Sequence, residues 1–507
     1  MFRSILSVGG WTLLSRVTGF VRDVLMAAVM GAGPLADAFV VAFRLPNHFR
    51  AIFGEGAFNA AFVPAYAHLE GGEGGAAANR FADRVFTLML LVQLALLALA
   101  WAAMPWVVRT LAPGFSADPD KFALAVTLTR ITFPYLLFVT LVTLISGVLN
   151  AHRRFAAAAA APVLLNVSLV LALAAAPLFP SAAHAAAWGV AAAGLLEYLL
   201  LWAAARRVGL APALARPRLD PAMRGFFRTL GPAVVGSAGV QIALFADTII
   251  GSLLPAGAVS ALYYAERLYQ LPIGVIGIAA GTVLLPEMSR RIAGGDEAGA
   301  HHAQNRAAAF TLALALPFAV AFLTLAEPIV AAFFQRGAFD AGAAARAGAV
   351  LAAYGVGLPA MVLIRSALAS FYARRDTATP LVASLVAVAV NVALKLVLTG
   401  PYGVVGLALA TACGAWVNLL LLAGLAARRG WTAPDRVLAA TVAASLAGGA
   451  GLAAIAILGE PWLRARLPPM PLRDLAVLAG LGLAGLALYG GVLALGLRLA
   501  GVRLRRR

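Results

Sequence analysis

Long apolar segments follow one another along the whole chain, and short connectors rich in glycine, proline or charged residues separate them. A transmembrane α-helix needs about 20 consecutive apolar residues, and most of these segments reach that length. The breaks in the pattern predict fourteen transmembrane helices, at residues 5–31, 35–68, 83–109, 122–150, 156–179, 183–205, 225–254, 258–288, 305–335, 342–372, 378–398, 402–427, 436–458 and 472–499. We therefore predict an all-α integral membrane protein with about 14 transmembrane helices.

An internal repeat becomes visible when the sequence is shifted by about 223 residues. The matching pairs are AFRL at 42–45 with AERL at 265–268, FVP at 62–64 with LLP at 284–286, Gly114 with Gly337, and Arg153 and Arg154 with Arg374 and Arg375. About six helices separate equivalent points, so both copies have the same orientation in the membrane. We therefore predict two pseudo-symmetric six-helix lobes around a central cavity, residues 1–215 and 216–430. Residues 431–507 then add two C-terminal helices and a basic tail.

The composition agrees with a membrane protein, because 62% of the 507 residues are hydrophobic and only 12% are charged. The net charge of +18 would also suit a nucleic-acid-binding protein. However, most of the arginines lie in every second connector, as the positive-inside rule requires. We therefore expect a membrane and no nucleic acid as the partner of these charges, with both termini in the cytoplasm.

The sequence lacks the motifs of enzymes and of cofactor sites. Cys413 is the only cysteine, so neither an intrachain disulfide nor a cysteine-cluster metal site can form. Lys121 and Lys395, the two lysines, lack the preceding glycine of a phosphate-binding loop, and the six histidines form no HExxH motif. We therefore predict no enzyme activity, no cofactor and no metal.

Residues 12–64 combine apolar helices with ionisable side chains, namely Arg16, Arg22, Asp23, Asp37, Arg44, Arg50 and Glu55. An ionisable side chain in a spanning helix costs roughly 2.5–3.5 kcal/mol, so such residues usually face a protein interior or a water-filled cavity. The alternative is that each arginine reaches a lipid headgroup or pairs locally with a carboxylate. Several such residues together favour a polar cavity, and guanidinium groups in it favour an anionic ligand such as a phosphate.

Two backbone features of this stretch carry further predictions. Arg16 and Arg22 are about 120° apart around one helix, so they can face the same cavity only if the cavity is wide or the helix is kinked. Gly19 between them lowers the energetic cost of a kink. In the second helix Asp37 and Arg44 share a face, and Pro46 is predicted to break the helix after them.

The stretches SRVTGFVRD at 15–23, ADAFVVAFRLPN at 36–47 and FGEGAFNAAFVP at 53–64 resemble the MurJ (MviN) family of lipid II flippases in the MOP exporter superfamily. The resemblance continues through YYAERLYQLP at 263–272 and FYARRDTATP at 371–380. It implies a bacterial inner-membrane protein that moves lipid II, the undecaprenyl-diphosphate-linked peptidoglycan precursor, to the periplasmic leaflet by alternating access.

The same resemblance implies roles for single residues. The substrate-binding residues of the family fall on Arg16, Arg22, Asp37, Arg50 and Arg267 of this sequence. Candidate gate or supporting residues are Arg44, Glu55 and Glu266, although Glu55 suits a helix-terminal carboxylate equally well. In the family the two C-terminal helices form a groove for the lipid tail.

Two related functions stay open alongside this one. A multidrug or cation antiporter of the superfamily should have cavity carboxylates, whereas the deep charges here are mainly arginines. A lipid-linked oligosaccharide flippase shares the diphosphate lipid, and only the two helices beyond the repeat favour the lipid II flippase over it. A purely structural scaffold would leave the intramembrane charges unexplained.

Asp247 and Lys395 form a predicted buried pair in the second lobe. Some relatives resembling this chain bind sodium there with two acids, and lysine replaces the second acid here. We therefore predict that the Lys395 ammonium group takes the place of the ion and pairs with Asp247. The alternative is that Lys395 reaches towards the membrane surface near Gly400.

Overall fold

The computed structural model describes the backbone of residues 2–50, 58–468 and 472–501, and the side chains of residues 8–48, 58–234, 243–277, 284–468 and 472–501. Within these residues the chain folds into helices without a strand. The α-helices are α1 (Phe2–Met30), α2 (Pro34–Arg50), α3 (Phe58–Glu73), α4 (Gly75–Ala102), α5 (Met104–Leu111), α6 (Pro119–Thr132), α7 (Pro134–Ala151), α8 (Ala156–Ala174), α9 (Ala182–Arg206), α10 (Pro221–Ser252), α11 (Ala258–Ala293), α12 (Glu297–Thr324), α13 (Ala326–Phe334), α14 (Ala341–Tyr372), α15 (Ala378–Arg428), α16 (Arg436–Arg466) and α17 (Arg473–Leu499).

Nine helical stretches in the described part of the chain are long and apolar enough to cross a membrane. Helices α1, α10 and α11, with 29, 32 and 36 residues, also reach spanning length. The prediction of an all-α membrane protein is therefore confirmed. The count of fourteen spans stays a prediction, although α15 alone has 51 residues and is interrupted at Gly403, whose φ is 54°.

Pro46 does not break its helix, so the sequence-based expectation is wrong at this point. Helix α2 continues through Pro46 to Arg50. A proline lacks the N–H that would bind the carbonyl four residues earlier, here that of Ala42. The buried Thr132 hydroxyl donates to the Ala42 carbonyl at 2.8 Å instead. A side chain from α6 thus replaces the missing backbone hydrogen bond and keeps the helix intact.

Helix ends recur along the chain at a constant spacing. The breaks at Ala103 and Leu325 are 222 positions apart. Arg153 and Arg375 are also 222 positions apart, and both have a left-handed backbone, with φ values of 58° and 62°. In both places the backbone N–H of the following residue donates a hydrogen bond to the carbonyl five positions earlier, Arg154 to Leu149 and Asp376 to Phe371. Because Arg153 and Arg375 both end a helix in the left-handed region, which is unfavourable for arginine, the coincidence supports a duplicated fold.

The chain divides into two compact units, Met1–Ser260 with Gly337–Phe339, and Ala261–Arg336 with Asp340–Arg507. The core of the first unit contains an aromatic cluster whose rings stack or meet edge to face, formed by Phe58, Phe62, Tyr66, Phe81 and Phe226. The second unit has smaller apolar clusters, one of them between α13, α16 and α17. The division into lobes at 1–215 and 216–430 stays a prediction.

Two glycines of the first unit, repeat partners in the sequence, dock against helix ends. A Cβ atom on Gly114 would lie 2.1 Å from the carbonyl oxygen of Ser252, at the end of α10. A Cβ atom on Gly337, where φ is 56°, would lie 2.3 Å from the carbonyl oxygen of Ala28 near the end of α1. The same Ala28 oxygen accepts a hydrogen bond from the Ala338 N–H at 2.8 Å. Only glycine permits these two backbone approaches.

Candidate functional site

Arg22 lies in a buried polar network between α1 and α8. Its Nε and Nη2 atoms donate to Oδ1 of Asp23 at 3.0 and 2.7 Å, and Nη1 donates to Oδ1 of Asn166 at 2.8 Å. Arg22 is 7% exposed and Asp23 is 3% exposed. Within a buried site an arginine needs such a partner to offset its desolvation. The local carboxylate pairing considered from the sequence is therefore present at Arg22.

Gly19 allows this network to form by close packing. Helix α1 continues through Gly19 without interruption. A Cβ atom at Gly19 would lie 3.3 Å from Nδ2 of Asn166, and that nitrogen donates to the Ser15 carbonyl at 2.8 Å. Gly19 thus allows the Asn166 amide to approach α1 closely, and it does not interrupt the helix.

Arg16 lies on the same helix in a different environment. Its side chain is exposed, and within the described residues no hydrogen bond or ion pair holds it. Its neighbours Leu13, Leu14 and Val17 are exposed as well. An exposed guanidinium on an apolar helix can bind an incoming phosphate without first losing a protein partner.

Asp37 accepts four hydrogen bonds in a buried cluster. Its Oδ2 atom accepts from Nζ of Lys121 and from the Gly257 N–H, both at 2.8 Å. Its Oδ1 atom accepts from the N–H and the hydroxyl of Ser260, both at 2.8 Å. The Gly257 and Ser260 amides belong to the N-terminus of α11, where the helix dipole favours an anion. Asp37, which is 1% exposed, therefore caps a helix from another part of the chain.

Sequence reasoning missed Lys121, which it examined only as a phosphate-loop residue. Lys121 is buried, forms the ion pair with Asp37, and places its Nζ atom 4.1 Å from the centre of the Phe115 ring. The sequence around Lys121 does not indicate this pair, because Lys121 and Asp37 are 84 positions apart. A binding role for Asp37 stays a prediction.

Arg44 faces α10 within the first unit. Its Nη1 atom lies 3.4 Å from the hydroxyl of Thr248, and one turn further along α2 the His48 ring contacts Phe245 at 4.9 Å between centroids. Asp247, on the same stretch of α10, is 9% exposed. Arg44 thus supports the packing of α2 on α10.

Arg267 and Glu266 lie half-buried on α11 in the second unit. The Arg267 guanidinium stacks over the Tyr263 ring at 4.6 Å, and its Nη1 atom lies 3.5 Å from Oε1 of Gln270. The Gln270 amide also donates to Glu266 at 2.8 Å. A stacked guanidinium keeps its edge directed at a fixed position, which suits phosphate recognition.

Arg365 on α14 is a further intramembrane arginine that the sequence analysis did not single out. A Cβ atom at Gly277 of α11 would lie 2.7 Å from its Nε atom, so this glycine makes room for the guanidinium. The sequence feature that could have identified Arg365 is an arginine within a long apolar segment.

Lys395, which is fully buried on α15, belongs to the second unit, whereas Asp247 belongs to the first unit. Their pairing stays a prediction.

The structure does not describe the side chains of two predicted site residues, Arg50 and Glu55. The Arg50 side chain and the whole of Glu55 lie outside the described residues.

An apolar cavity of about 490 Å³ lies in the second unit. Its walls come from α11, α12, α13, α16 and α17, and they consist of Leu, Ile, Phe, Pro, Ala and Gly side chains. Representative lining residues are Leu271, Phe322, Leu452 and Leu478. A cavity lined by apolar side chains suits a hydrocarbon chain.

The sequence profile of a family described as "Lipid II flippase MurJ" matches residues 26–470. The chain is 42% identical to "Probable lipid II flippase MurJ" of Rhizobium meliloti (strain 1021), over 100% of this chain and 96% of that relative. It is 37% identical to "Lipid II flippase MurJ" of Burkholderia cenocepacia, over 83% of each chain.

Solved structures show the same fold. The structure named "Lipid II flippase MurJ, inward closed conformation" superposes with a TM-score of 0.80 at 23% identity, covering 97% of this chain and 98% of that one. An inward-facing multidrug resistance MATE family transporter of the MOP superfamily gives a TM-score of 0.69 at 16% identity, covering 82% of this chain and 94% of that one.

Proposed function

Since the chain belongs to the lipid II flippase MurJ family, we propose that it carries lipid II from the cytoplasmic to the periplasmic leaflet by alternating access. Membership makes it a lipid II flippase, a transporter and a multi-pass protein of the inner membrane. The direction and the mode of access are the proposed steps.

We propose that Arg16, Arg22, Arg50 and Arg267 bind the diphosphate of the substrate. The observation that carries this proposal is the contrast along α1, where Arg22 is fixed in a buried network and Arg16 is exposed. The fixed Arg22 guanidinium provides a positive electrostatic field. The exposed Arg16 guanidinium can donate hydrogen bonds to the phosphate oxygens. Arg267, held over Tyr263, would add a further guanidinium whose orientation is fixed by stacking.

The apolar cavity supports a place for the lipid tail. Helices α16 and α17 lie beyond the repeat, and they supply part of its walls together with α11 and α12. A long polyprenyl chain would otherwise lie in water or displace membrane lipid while its headgroup crosses. We propose that the cavity shelters part of that tail.

The remaining features of the proposal concern architecture. Fourteen helices, two pseudo-symmetric lobes (1–215 and 216–430) around a central cavity, and cytoplasmic termini are supported by the repeated helix ends and by the alternation of arginine-rich connectors.

The function is tested by depletion complementation. The chain should sustain growth and peptidoglycan synthesis in a bacterium depleted of its own lipid II flippase, whereas Arg16→Ala and Arg267→Ala should fail at normal membrane abundance. Arg16→Lys should retain more activity, because charge matters more than shape at an exposed site. Arg80→Ala, an exposed arginine at the start of α4, is the matched control and should complement. Full activity of both alanine variants would refute the diphosphate site.

A further inference from the structure

The connector between α9 and α10, residues 207–220, lies at the level of a membrane surface. Helix α9 is an apolar span that ends at Arg206, and α10 begins at Pro221. One turn before the end of α9, Trp202 is half-buried, and the Arg206 guanidinium lies 5.1 Å from the centre of its ring. Tryptophan with a neighbouring arginine marks the boundary between hydrocarbon and headgroups.

Two leucines flank two arginines on the exposed part of this connector, ALARPRLD at 213–220. Leu214 is 72% exposed and Leu219 is 67% exposed. Arg216 and Arg218 between them are exposed too. In water the leucines would be unfavourable, and in hydrocarbon the arginines would be. The interfacial layer of a bilayer satisfies both kinds of side chain at once.

The connector is held in place by its backbone, although it is not helical. The Ala213 N–H donates to Oδ1 of Asp83 at 2.8 Å, and the Ala215 N–H donates to the Thr87 hydroxyl at 2.9 Å. A fixed segment loses little conformational entropy when it binds a partner, so its exposed side chains form a preorganised binding surface.

The single acid of the connector does not oppose an anionic partner. Asp220 pairs with Arg84 through Oδ2, and its Oδ1 accepts from the Met223 N–H at 2.8 Å as the cap of α10. Its charge is therefore balanced within the protein. Arg207, Arg216 and Arg218 are exposed and carry the outward charge of this segment, and Arg216 and Arg218 lie beside the two exposed leucines.

We propose that the connector is a docking surface for the anionic phospholipids of the leaflet that borders the ends of α9 and α10. Leu214 and Leu219 enter the boundary between headgroups and acyl chains, and Arg216 and Arg218 bind lipid phosphates. A lipid layer is the occupant, since a free phosphate ion would leave both leucines in water. This interaction is separate from the transported substrate and depends on the composition of the leaflet.

The test uses the full chain with Cys413→Ala and a fluorophore on Ala213→Cys, an exposed position that keeps both leucines and both arginines. The protein is placed in nanodiscs of phosphatidylcholine, with or without phosphatidylglycerol, and quenching by a lipid with a nitroxide near the headgroup is measured. We expect stronger quenching with phosphatidylglycerol, and a loss of that increment at high salt. Arg216→Gln with Arg218→Gln should remove most of the phosphatidylglycerol-dependent part of the quenching.

The matched control is Arg428→Gln with Arg498→Gln, which removes the same charge from two other exposed positions and should leave the quenching unchanged. Equal quenching in both lipid mixtures would overturn the proposal, as would an unaltered signal in the connector variant. Binding of inorganic phosphate to the connector in neutral detergent, with no response to phosphatidylglycerol, would also overturn it. The salt dependence of the labelled protein requires no arginine substitution, so it tests the proposal even if an arginine variant folds poorly.

Discussion

At the scale of single residues, Pro46 and Thr132 show how one helix supplies what another lacks. Thr132→Val should remove the hydroxyl that satisfies the buried Ala42 carbonyl, at a cost of about 1–3 kcal/mol in the free energy of unfolding. Thr132→Ser should retain most of the stability. Thermal unfolding of the purified protein measures the difference.

A double-mutant cycle separates this explanation from simple packing loss. Pro46→Ala restores an N–H to the Ala42 carbonyl, so Thr132→Val should cost less in that background. An equal cost in both backgrounds would show that the hydroxyl does not act through this carbonyl.

Asp247 and Lys395 carry a prediction at the same scale. Both are buried, and each would be costly alone. If they pair, Lys395→Met and Asp247→Asn should each destabilise by about 3–5 kcal/mol, and the double variant should recover most of the loss. Additive losses in thermal unfolding would count against the pair. Stabilisation of the parent by added sodium would do so as well.

At the scale of elements, the glycine contacts with the ends of α1 and α10 should tolerate no side chain. Gly114→Ala and Gly337→Ala place a methyl group within 2.1 and 2.3 Å of backbone oxygens, and backbone cannot rotate away. We expect each to destabilise by about 1–3 kcal/mol, with additional strain at Gly337 from its positive φ.

Gly490 on α17 provides the control for these two variants. A Cβ atom there meets nothing within 4 Å, and alanine suits a helix interior better than glycine does. Gly490→Ala should therefore leave the unfolding temperature unchanged or raise it. Similar losses in all three variants would argue against the docking contacts.

The lipid-tail cavity belongs to the same scale, because helix faces define it. A photocrosslinker at Leu478, which lines the cavity, should capture undecaprenyl lipid more often than one at Leu483, which lies on the same helix and is 74% exposed. Equal labelling at the two positions would mean that α17 only packs at the periphery.

At the scale of the whole molecule, the alternation of arginine-rich connectors predicts the orientation in the membrane. In a Cys413→Ala background, Ser116→Cys should react with a membrane-impermeant thiol reagent in intact cells. Val208→Cys should react only after the membrane is opened. Both positions are exposed, so access to the side chain does not bias the comparison. The reverse pattern would invert the proposed topology and the cytoplasmic termini.

The sequence by itself determined the all-helical membrane fold and the spacing of the repeat. Both depend on local patterns, since about 20 apolar residues define a span whatever their partners. The family was also readable there, because the stretches around Arg16, Asp37 and Arg267 are contiguous and specific.

Only the tertiary structure decided which charges are bound within the protein. Arg22 and Asn166 are 144 positions apart, and Asp37 lies 84 positions from Lys121 and 223 from Ser260. No local pattern encodes such pairs, because folding brings the partners together only after the helices pack. The sequence could not predict that α2 continues through Pro46 for the same reason, since the hydroxyl that binds the Ala42 carbonyl comes from another helix.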